Sequence, residues 1–447
     1  MNKKEKLSMA STDWISELPD SVLHHIMSFM KAKAAVRTCV LSKRWKHLWA
    51  SLQHLHFDST EFEGTQNLRR QEHVRRYHKF ISRMLQEREN IDVHTFDMKN
   101  LYEWHDDDNE RARAEWISYA VFHKARVILL TMYHWSNLPQ SIYTCTSLEE
   151  LQVYIGGPDP IIYPTRVSLP RLRSLDLDSV DHQFLELVLM QCPDLESLSL
   201  SYCSGIDLSG MPFQNLRKLA VISCTMLSAA GKLSLPSLES FSFEGSTSTL
   251  RVMGIESMPS LTYAYAYFYV DEDEDTDASF NNILRALTNA RKLEFFFYGF
   301  GASIRKPLKE DLQKCPTFFN LAELCIKRCA SCRSDMIARM LESSPYLQKL
   351  TISQDEYNNH KVAIKDAFLK SMYLNTIEIE VWRHYSTVKP LIVELVESLE
   401  GRRKLFKIIL IIHKYDPGPI IDEDFNTLCS SLAQQNLQIK LSYKLHS

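Results

Sequence analysis

Residues 14–49 read WISELPDSVLHHIMSFMKAKAAVRTCVLSKRWKHLW, and this stretch decides the first part of the fold. Pro19 suits a first helical turn, because the N–H group that proline lacks has no partner there. Apolar residues then recur at helical spacing, which predicts an amphipathic helix. This apolar stripe consists of Val22, Leu23, Ile26, Met27 and Met30.

Two more helices are predicted within the same stretch. Apolar residues keep helical spacing from Ala35 to Val40, and Ser42 offers an N-cap to a third helix. In that third helix Trp45, Leu48 and Trp49 share one face. A unit of this size without a disulfide is marginal by itself. Part of its apolar surface is therefore either covered by the rest of the chain or reserved for another protein.

Several positions of this unit stand in a recognisable order. They are Leu18-Pro19, Val22-Leu23, Ile26, Phe29, Val36-Arg37, Val40-Leu41-Ser42-Lys43-Arg44-Trp45 and Leu48-Trp49. Their order and spacing resemble the F-box of plant F-box proteins. Two pairs depart from it, since Met30-Lys31 replaces the usual Leu-Pro and Lys33-Ala34 replaces an acidic or polar cap. A lost cap costs about 1 kcal/mol, whereas burying a Leu or Phe anchor contributes about 1.5–3 kcal/mol, so we expect binding through this unit to survive.

In that family the F-box binds a Skp-type adaptor, which joins it to a cullin, and the rest of the chain selects a protein for ubiquitination. The resemblance implies the substrate-recognition subunit of an SCF-type (Skp-cullin-F-box) ubiquitin ligase, which is not itself an enzyme. The residues that it assigns to adaptor binding are Leu18, Pro19, Val22, Leu23, Ile26, Phe29, Val40, Leu41, Lys43 and Trp45. The alternative is a three-helix cap that only closes the N-terminal end of the protein.

The body of the chain repeats the pattern L-x-x-L-x-L. It occurs as SLEELQV, RLRSLDL, DLESLSL, NLRKLAV, SLESFSF, NLAELCI, YLQKLTI and YLNTIEI. The leading apolar residues are Leu148, Leu172, Leu195, Leu216, Leu238, Leu261, Leu293, Leu321, Leu347 and Leu374. No single repeat can enclose its inward-pointing leucines, so the repeats must stack. The expected fold is α/β: a three-helix F-box followed by an irregular leucine-rich-repeat solenoid with a curved parallel sheet.

Three cysteines support this register. Cys203, Cys224 and Cys329 each follow their leading leucine by eight residues, where such repeats use Asn or Cys to bond the turn backbone. Their expected role is structural. Cys325, Cys329 and Cys332 also resemble a fragment of a metal site, but a closed zinc site needs four ligands and no well-spaced fourth follows. We therefore expect neither a metal nor a cofactor.

The repeats extend beyond the clear ones. HLHFD at 54–58 predicts a strand, residues 69–89 predict a helix, residues 116–121 resemble the helix before the third strand of plant F-box repeat proteins, and ARVILLTM at 125–132 predicts that strand. After Leu374, LIVELVESLE and KLFKIILIIH suggest a helix and a strand that cap the array, in the position of the FBD segment of related proteins. The predicted organisation is a disordered tail at 1–12, the F-box at 13–54, the repeat solenoid at 55–373 and C-terminal capping repeats at 374–447.

A target protein is expected on the concave sheet face of such an array. Strict alternation places Tyr263, Tyr265, Tyr267 and Tyr269 on one face of a strand, directly before an acidic run at 271–277. Together they could hold a basic peptide. The alternative is an ordinary repeat strand followed by a solvated loop.

Composition excludes several other classes. Hydrophobic residues make up 45% of the 447-residue chain and charged residues 24%, as in a folded protein, and the net charge of −3 gives no general attraction for nucleic acid. The basic residues between Arg69 and Arg88 are expected on a solvated helix face. No apolar run suits a membrane span and no signal peptide precedes the helices, so we expect a protein of the nucleus and/or cytoplasm.

Catalytic signatures are also missing. The sequence contains no Walker A loop, no G-x-S-x-G elbow and no H-E-x-x-H pair, and GFG at 299–301 lacks the third glycine of a dinucleotide loop. Besides the ligase subunit, two alternatives stay open. One is a leucine-rich-repeat binding scaffold without ligase attachment, and the other is an enzyme with an unrecognised site.

Overall fold

The computed structural model describes most of the chain in segments. These are residues 15, 17–62, 70–100, 107–133, 138–156, 162–226, 232–246, 249, 253–269, 279–298, 315–327, 333–354, 371–381, 406–414 and 437–445. The chain divides into two compact units, Met1–Asp176 and Leu177–Ser447. This division falls inside the repeats, and the domain boundaries expected from the sequence remain predictions.

The first unit begins with the expected three helices. They are α1 (Asp20–Ser28), α2 (Ala32–Arg37) and α3 (Trp45–Leu48), and single 3₁₀ turns at Thr38–Val40 and Trp49–Ser51 extend the second and third. Their shared core consists of Leu23, Met27, Ala32, Ala35, Trp45 and Leu48. Two local predictions were wrong by a few residues. Pro19 is the N-cap residue of α1 and lies just before its first turn. The N-cap residue of α3 is Arg44, whose backbone is already helical, and not Ser42.

Four parallel strands follow in the first unit, in the order of the chain. They are β1 (His54–Asp58), β2 (Thr95–Asn100), β3 (Val127–Tyr133) and β4 (Glu150–Gly156). In register, His54 pairs with Thr95, Thr95 with Val127 and Val127 with Glu150. The crossovers between them include α4 (Arg70–Glu87), α5 (Asp107–Phe122) and 3₁₀ segments at Ser59–Phe62 and Gln140–Thr144. The predicted strands β1 and β3 and both predicted helices are confirmed, whereas β2 was not predicted.

Helix α4 is amphipathic, as expected from its sequence. Its apolar stripe of Val74, Tyr77, Ile81, Met84 and Leu85 is buried. The basic side chains of Arg75, Arg76, Lys79 and Arg83 are exposed, in agreement with a solvated face. Arg88 is an exception, because it is buried and its Nη2 donates to the Leu52 carbonyl at 2.6 Å. None of the helices in the described ranges is both long and apolar enough to cross a membrane.

The second unit continues the parallel pairing. Strand β5 (Ser174–Asp178) lies at the boundary between the units. The main strands after it are β6 (Ser197–Ser201), β7 (Lys218–Ile222), β9 (Ser240–Ser246), β11 (Tyr263–Tyr269), β12 (Lys292–Tyr298), β13 (Glu323–Lys327), β14 (Lys349–Gln354), β15 (Thr376–Val381), β16 (Phe406–Lys414) and β17 (Leu437–Leu445). Each of them pairs in parallel with the next. The expected fold of N-terminal helices and parallel repeat strands is confirmed.

Short elements cover the other side of the repeats irregularly. Strands β8 (Leu233–Ser234) and β10 (Ile255–Ser257) form a separate parallel pair. Three helices are described in this unit: α6 (His182–Leu189), α7 (Ser279–Ala286) and α8 (Arg333–Glu342). Asp181 caps α6 by accepting a hydrogen bond from the Phe184 amide at 2.9 Å. At the C-terminal end, the predicted strand in KLFKIILIIH is β16, while LIVELVESLE lies outside the described residues.

Each clear repeat places its leading leucine two residues before its strand. Leu195, for example, precedes β6, and Leu198 and Leu200 point into the core with it. Leu293 was assigned to this position wrongly, because it lies inside β12 and pairs with Ala264 of β11. The position belongs to Ala290, which is fully buried. A search for leucine misses a repeat whose leading residue is small.

The turns after β5, β6 and β7 share one geometry. Ser179, Tyr202 and Ser223 each adopt a left-handed backbone conformation, with φ of 60°, 52° and 50°. Cys203 follows Tyr202, and its Sγ donates to the Ser201 carbonyl at 3.3 Å. Cys224 donates in the same way to the Ile222 carbonyl at 3.4 Å. The structural role of these two cysteines is confirmed, while Cys329 and Cys332 lie outside the described residues.

Candidate protein-interaction surfaces

The three N-terminal helices leave a row of large apolar side chains open to solvent. The exposed fractions are 39% for Val22, 43% for Ile26, 77% for Phe29, 84% for Val40 and 63% for Leu41. These five residues form what we call the N-terminal apolar surface. Several exposed large apolar side chains on one small helical unit are typical of a surface that another protein covers. Pro19 and Lys43 beside it are also exposed, and Leu18 is half-buried.

Two residues predicted to contact a partner lie beneath this surface instead. Leu23 is completely buried and Trp45 is 4% exposed, so both hold the helices together. Their burial gives these two residues a packing role, and their direct contact with an adaptor stays a prediction. The other eight predicted residues retain exposed or half-buried side chains, and their contact with an adaptor stays a prediction.

Arg44 fixes the start of α1 against the third helix. Its Nη2 donates to the Leu18 carbonyl at 2.5 Å, and its Nε donates to Asp20 Oδ1 at 2.7 Å. These bonds set the direction in which α1 leaves the preceding chain. On the opposite end of α1, the His25 ring contacts the edge of Phe29 at a centroid distance of 5.0 Å.

The two lysines that depart from the family pattern attach the helices to the first repeat strand. Lys31 Nζ lies 2.6 Å from Asp58 Oδ2 at the end of β1, and the Thr60 amide and hydroxyl donate to the other carboxylate oxygen of Asp58. Burial opposes the charge on Asp58, but these hydrogen bonds hold its pKa below the ordinary value. Lys33 donates to the Glu61 carbonyl and lies 4.1 Å from the ring centre of Phe62.

This attachment was missed in the sequence. Lys31 is the N-cap residue of α2, yet its side chain caps nothing and is used for Asp58. His56 of β1 adds a contact, since its Nε2 lies 3.1 Å from the Ser28 carbonyl oxygen at the end of α1. The only available signal was that two lysines replaced residues of other types in the family pattern.

The second candidate surface lies on the outward face of β11 and β12. Tyr263, Tyr265, Tyr267 and Tyr269 are half-buried and face outward, while Ala264, Ala266 and Phe268 between them are buried in the core. The predicted alternation is confirmed. Phe296 of β12 joins the tyrosines, with ring centres 5.2 Å from Tyr265 and 5.7 Å from Tyr267, the latter stacked. We call these five residues the aromatic ridge.

Charged residues surround the aromatic ridge. Lys292 lies over the Tyr263 ring at 5.4 Å and Lys327 over the Phe296 ring at 5.3 Å. Lys292 Nζ also lies 2.7 Å from Glu294, and Tyr269 donates a hydrogen bond to Glu244. Whether these residues contact a target stays a prediction, and the acidic run at 271–277 lies outside the described residues.

Phe296 and Glu294 of β12 were missed because of the wrong repeat register. With Leu293 as the leading residue, Phe296 would take the inward position that Leu198 has in its own repeat. With Ala290 as the leading residue, Phe296 points outward, as the structure shows. Within the described residues, no group of three or more His, Cys, Asp or Glu side chains could hold a metal ion.

Two family models match parts of the chain. The model described as "F-box domain" matches residues 15–57, which contain the three helices and β1. The model described as "FBD-associated F-box protein At5g56370, LRR repeats" matches residues 114–265, from α5 into β11.

Curated relatives from Arabidopsis thaliana are named as F-box/LRR-repeat or FBD-associated F-box proteins. The chain is 27% identical over 362 residues to FBD-associated F-box protein At4g10400, covering 78% of this chain and 79% of the relative. It is 28% identical over 375 residues to FBD-associated F-box protein At5g60610, covering 77% of this chain and 83% of the relative. It is 31% identical over 220 residues to F-box/LRR-repeat protein 13, covering 47% of this chain and 46% of the relative. In that relative and in several others the match therefore spans less than half of the relative's own length.

Proposed function

Because this chain is an F-box/leucine-rich-repeat protein of the plant type, we propose that it is the substrate-recognition subunit of an SCF-type ubiquitin ligase. In this proposal the F-box docks a Skp-type adaptor and through it a cullin. The leucine-rich repeats then hold a target protein. The subunit acts in the nucleus and/or cytoplasm, which a fluorescent fusion of the full chain tests.

One observation carries the proposal: the N-terminal apolar surface is open. Phe29 and Val40 expose 77% and 84% of their areas, although they lie beside a well-packed core. A cap that only closed the N-terminal end would bury such side chains against the repeats. An apolar surface that is kept open supports a partner that covers it.

The contribution of such a subunit is positioning. Other subunits of the complex carry the chemistry of ubiquitin transfer, so this chain acts by raising the local concentration of target lysines near the charged ubiquitin. A receptor of this kind needs two surfaces on one chain. The N-terminal apolar surface and the outward face of the repeat strands supply two candidates.

Affinity purification of the full chain from plant cells tests the proposal. The variant Val40→Asp, Leu41→Asp places two charges in the N-terminal apolar surface, and we expect it to lose the Skp-type adaptor and the cullin. A matched control is Leu187→Asp, Met190→Asp, which changes an exposed apolar residue of α6 and its exposed C-cap residue. Their exposed fractions are 41% and 54%, and this variant should retain both partners.

The same experiment separates the alternatives. If the wild-type chain recovers no adaptor, the protein is a leucine-rich-repeat scaffold without ligase attachment. Proteins recovered with both the wild type and the adaptor-deficient variant are candidate targets. Their amounts should rise in cells when the proteasome is inhibited.

A further inference from the structure

The outward face of the second unit changes abruptly in height at β11. In one cross-strand row the neighbours Ser199, Ala220 and Ser242 are small, and the next residue in the row is Tyr265. In this row the small residues of β6, β7 and β9 form a low floor, which Lys218 and Ile222 of β7 flank in the neighbouring rows, and the aromatic ridge rises along its edge. This arrangement makes a ledge in which a partner's side chain can lie on the floor and pack against the tyrosine rings.

The ledge carries negative charge. Glu244 lies in register with Tyr267 at the floor side of the ridge, and Glu294 lies in register with Tyr265 on the other side. Burial, with the nearby Glu244 carboxylate adding to it, raises the pKa of Tyr265 to about 12. The hydroxyl therefore stays protonated at neutral pH between two carboxylates.

The two carboxylates differ in their partners. Glu294 is already paired with Lys292. Glu244 accepts a hydrogen bond from the Tyr269 hydroxyl, and within the described residues no Lys or Arg lies within ion-pair distance of it. A carboxylate beside half-buried tyrosine rings attracts a cation, which the described residues do not supply here.

The neighbouring rings show that this face accepts cations. Lys292 and Lys327 lie over the Tyr263 and Phe296 rings, each within 5.5 Å of a ring centre at 5.4 Å and 5.3 Å. In the described part of the unit, no lysine or arginine occupies the same position over Tyr265 or Tyr267. Tyr265 and Tyr267 pack against Phe296 on the β12 side, so a cation would approach them from the side of β9.

We propose that the ledge formed by Ser242, Glu244, Tyr265 and Tyr267 binds a lysine or arginine side chain from an extended basic segment of the target protein. This inference rests on the proposed function, since it assigns the target-holding role to one part of the repeats. The ammonium or guanidinium group pairs with Glu244, and its aliphatic stem packs on the tyrosine rings. An acidic segment would instead meet Glu244 and Glu294 at close range.

The dimensions suit an extended segment. Tyr263 and Tyr269 are six residues apart on one strand, which corresponds to about 20 Å of ridge at about 3.3 Å per residue. A peptide of about six residues in extended conformation has the same length. Basic residues at alternate positions of such a peptide would face the ridge together.

Fluorescence anisotropy with the purified full chain tests this inference. The probes are a labelled ten-residue peptide of alternating Lys and Ala and a matched peptide of alternating Glu and Ala. We expect the lysine peptide to bind more tightly, and Glu244→Gln to weaken its binding about five-fold, as expected for an exposed cation contact. Tyr265→Ala should weaken it similarly, while Tyr265→Phe, which keeps the ring, should retain most of the binding.

The control is Glu256→Gln, which removes the same charge from β10 and leaves the ledge unchanged. Equal weakening by Glu256→Gln and Glu244→Gln would overturn the inference, because a general charge effect would then explain the binding. Equal binding of the lysine and glutamate peptides would overturn it as well. So would a dimer that Glu244→Gln dissociates, because the occupant would then be a second copy of the chain.

Adaptor co-purification is measured on the same variants. Glu244→Gln should retain the adaptor and unfold at an unchanged temperature. A wild-type chain that binds the adaptor but does not prefer the lysine peptide refutes only the ledge, whereas a wild-type chain that prefers the lysine peptide but never binds the adaptor refutes only the ligase function.

Discussion

Phe29 and Phe122 provide a matched test of the N-terminal apolar surface. Both are phenylalanines of the first unit, and they are 77% and 79% exposed. Phe29 belongs to the apolar surface, whereas Phe122 ends α5. Because their exposure is nearly equal, replacing either by Ala should change the free energy of unfolding by less than about 0.5 kcal/mol.

The expected effect on adaptor binding is different. Fully burying a phenylalanine side chain contributes about 1.5–3 kcal/mol, and most of the Phe29 ring is still available for burial. We therefore expect Phe29→Ala to cost about 1–2 kcal/mol of binding free energy, which corresponds to about 5- to 30-fold weaker adaptor binding. Isothermal titration calorimetry of the full chain with a purified Skp-type adaptor measures this. Phe122→Ala should bind like the wild type.

Leu23→Ala is the control for a loss of adaptor binding that results from lower stability of the helices. Leu23 is completely buried, so the substitution should lower the stability of the helices by about 2–5 kcal/mol. It would weaken adaptor binding together with a lower unfolding temperature, whereas Phe29→Ala should weaken binding alone. The reasoning fails if Phe29→Ala leaves the adaptor affinity unchanged, or if Phe122→Ala reduces it equally.

Three further substitutions test the packing. Arg44→Ala removes the bond to the Leu18 carbonyl, so amide hydrogen exchange in α1 should become about five-fold faster, for a loss of about 1 kcal/mol; unchanged exchange would contradict this. Asp58→Asn removes a carboxylate whose pKa is lowered in the folded state. The Asp58 carboxylate therefore adds to the free energy of unfolding above its ordinary pKa of about 4, and this contribution is lost as the pH falls through the lowered pKa. In urea unfolding, the difference of about 1 kcal/mol from wild type at pH 7 should shrink towards pH 3, and a constant difference would argue against the ion pair. Ala290→Leu should overpack the leading position of its repeat and cost about 1–3 kcal/mol, whereas an unchanged melting temperature would show that the register assigned to β12 is wrong.

Much of the fold was predictable because its signals are local. The three helices follow from apolar spacing, and most repeat strands follow from leucines that start the pattern two residues before each strand. The leucine pattern failed where the leading residue is not a leucine, although β3 was still predicted from its own apolar run. Val93, Ala125 and Ala290 occupy that position before β2, β3 and β12, and each is buried like a leading leucine. A search for leucines does not detect a buried alanine or valine at the leading position.

The N-terminal surface was predictable only in part, for a geometric reason. Val22 and Leu23 are neighbours in sequence and belong to the same apolar stripe of α1. Leu23 packs against the other helices and Val22 is 39% exposed. An apolar stripe at helical spacing is wide enough to pack against the core on one side and to face a partner on the other. The spacing alone does not show which residues of the stripe do which. Only the packing of α1 against α3 separates supporting residues from those that face solvent.

The attachment of the helices to β1 matters because the proposed role is positioning. A receptor that presents a target to a distant reactive group gains little from affinity if its two surfaces move independently. Lys31 and Lys33 bind the end of β1 and the turn after it, and His56 reaches back to the end of α1. These contacts join the helices to the first repeat strand at three points. Lys33 belongs to the pair that replaces a helix cap worth about 1 kcal/mol, and Lys31 to the pair that replaces Leu-Pro. Both lysines instead make contacts that fix the N-terminal helices to the first repeat strand.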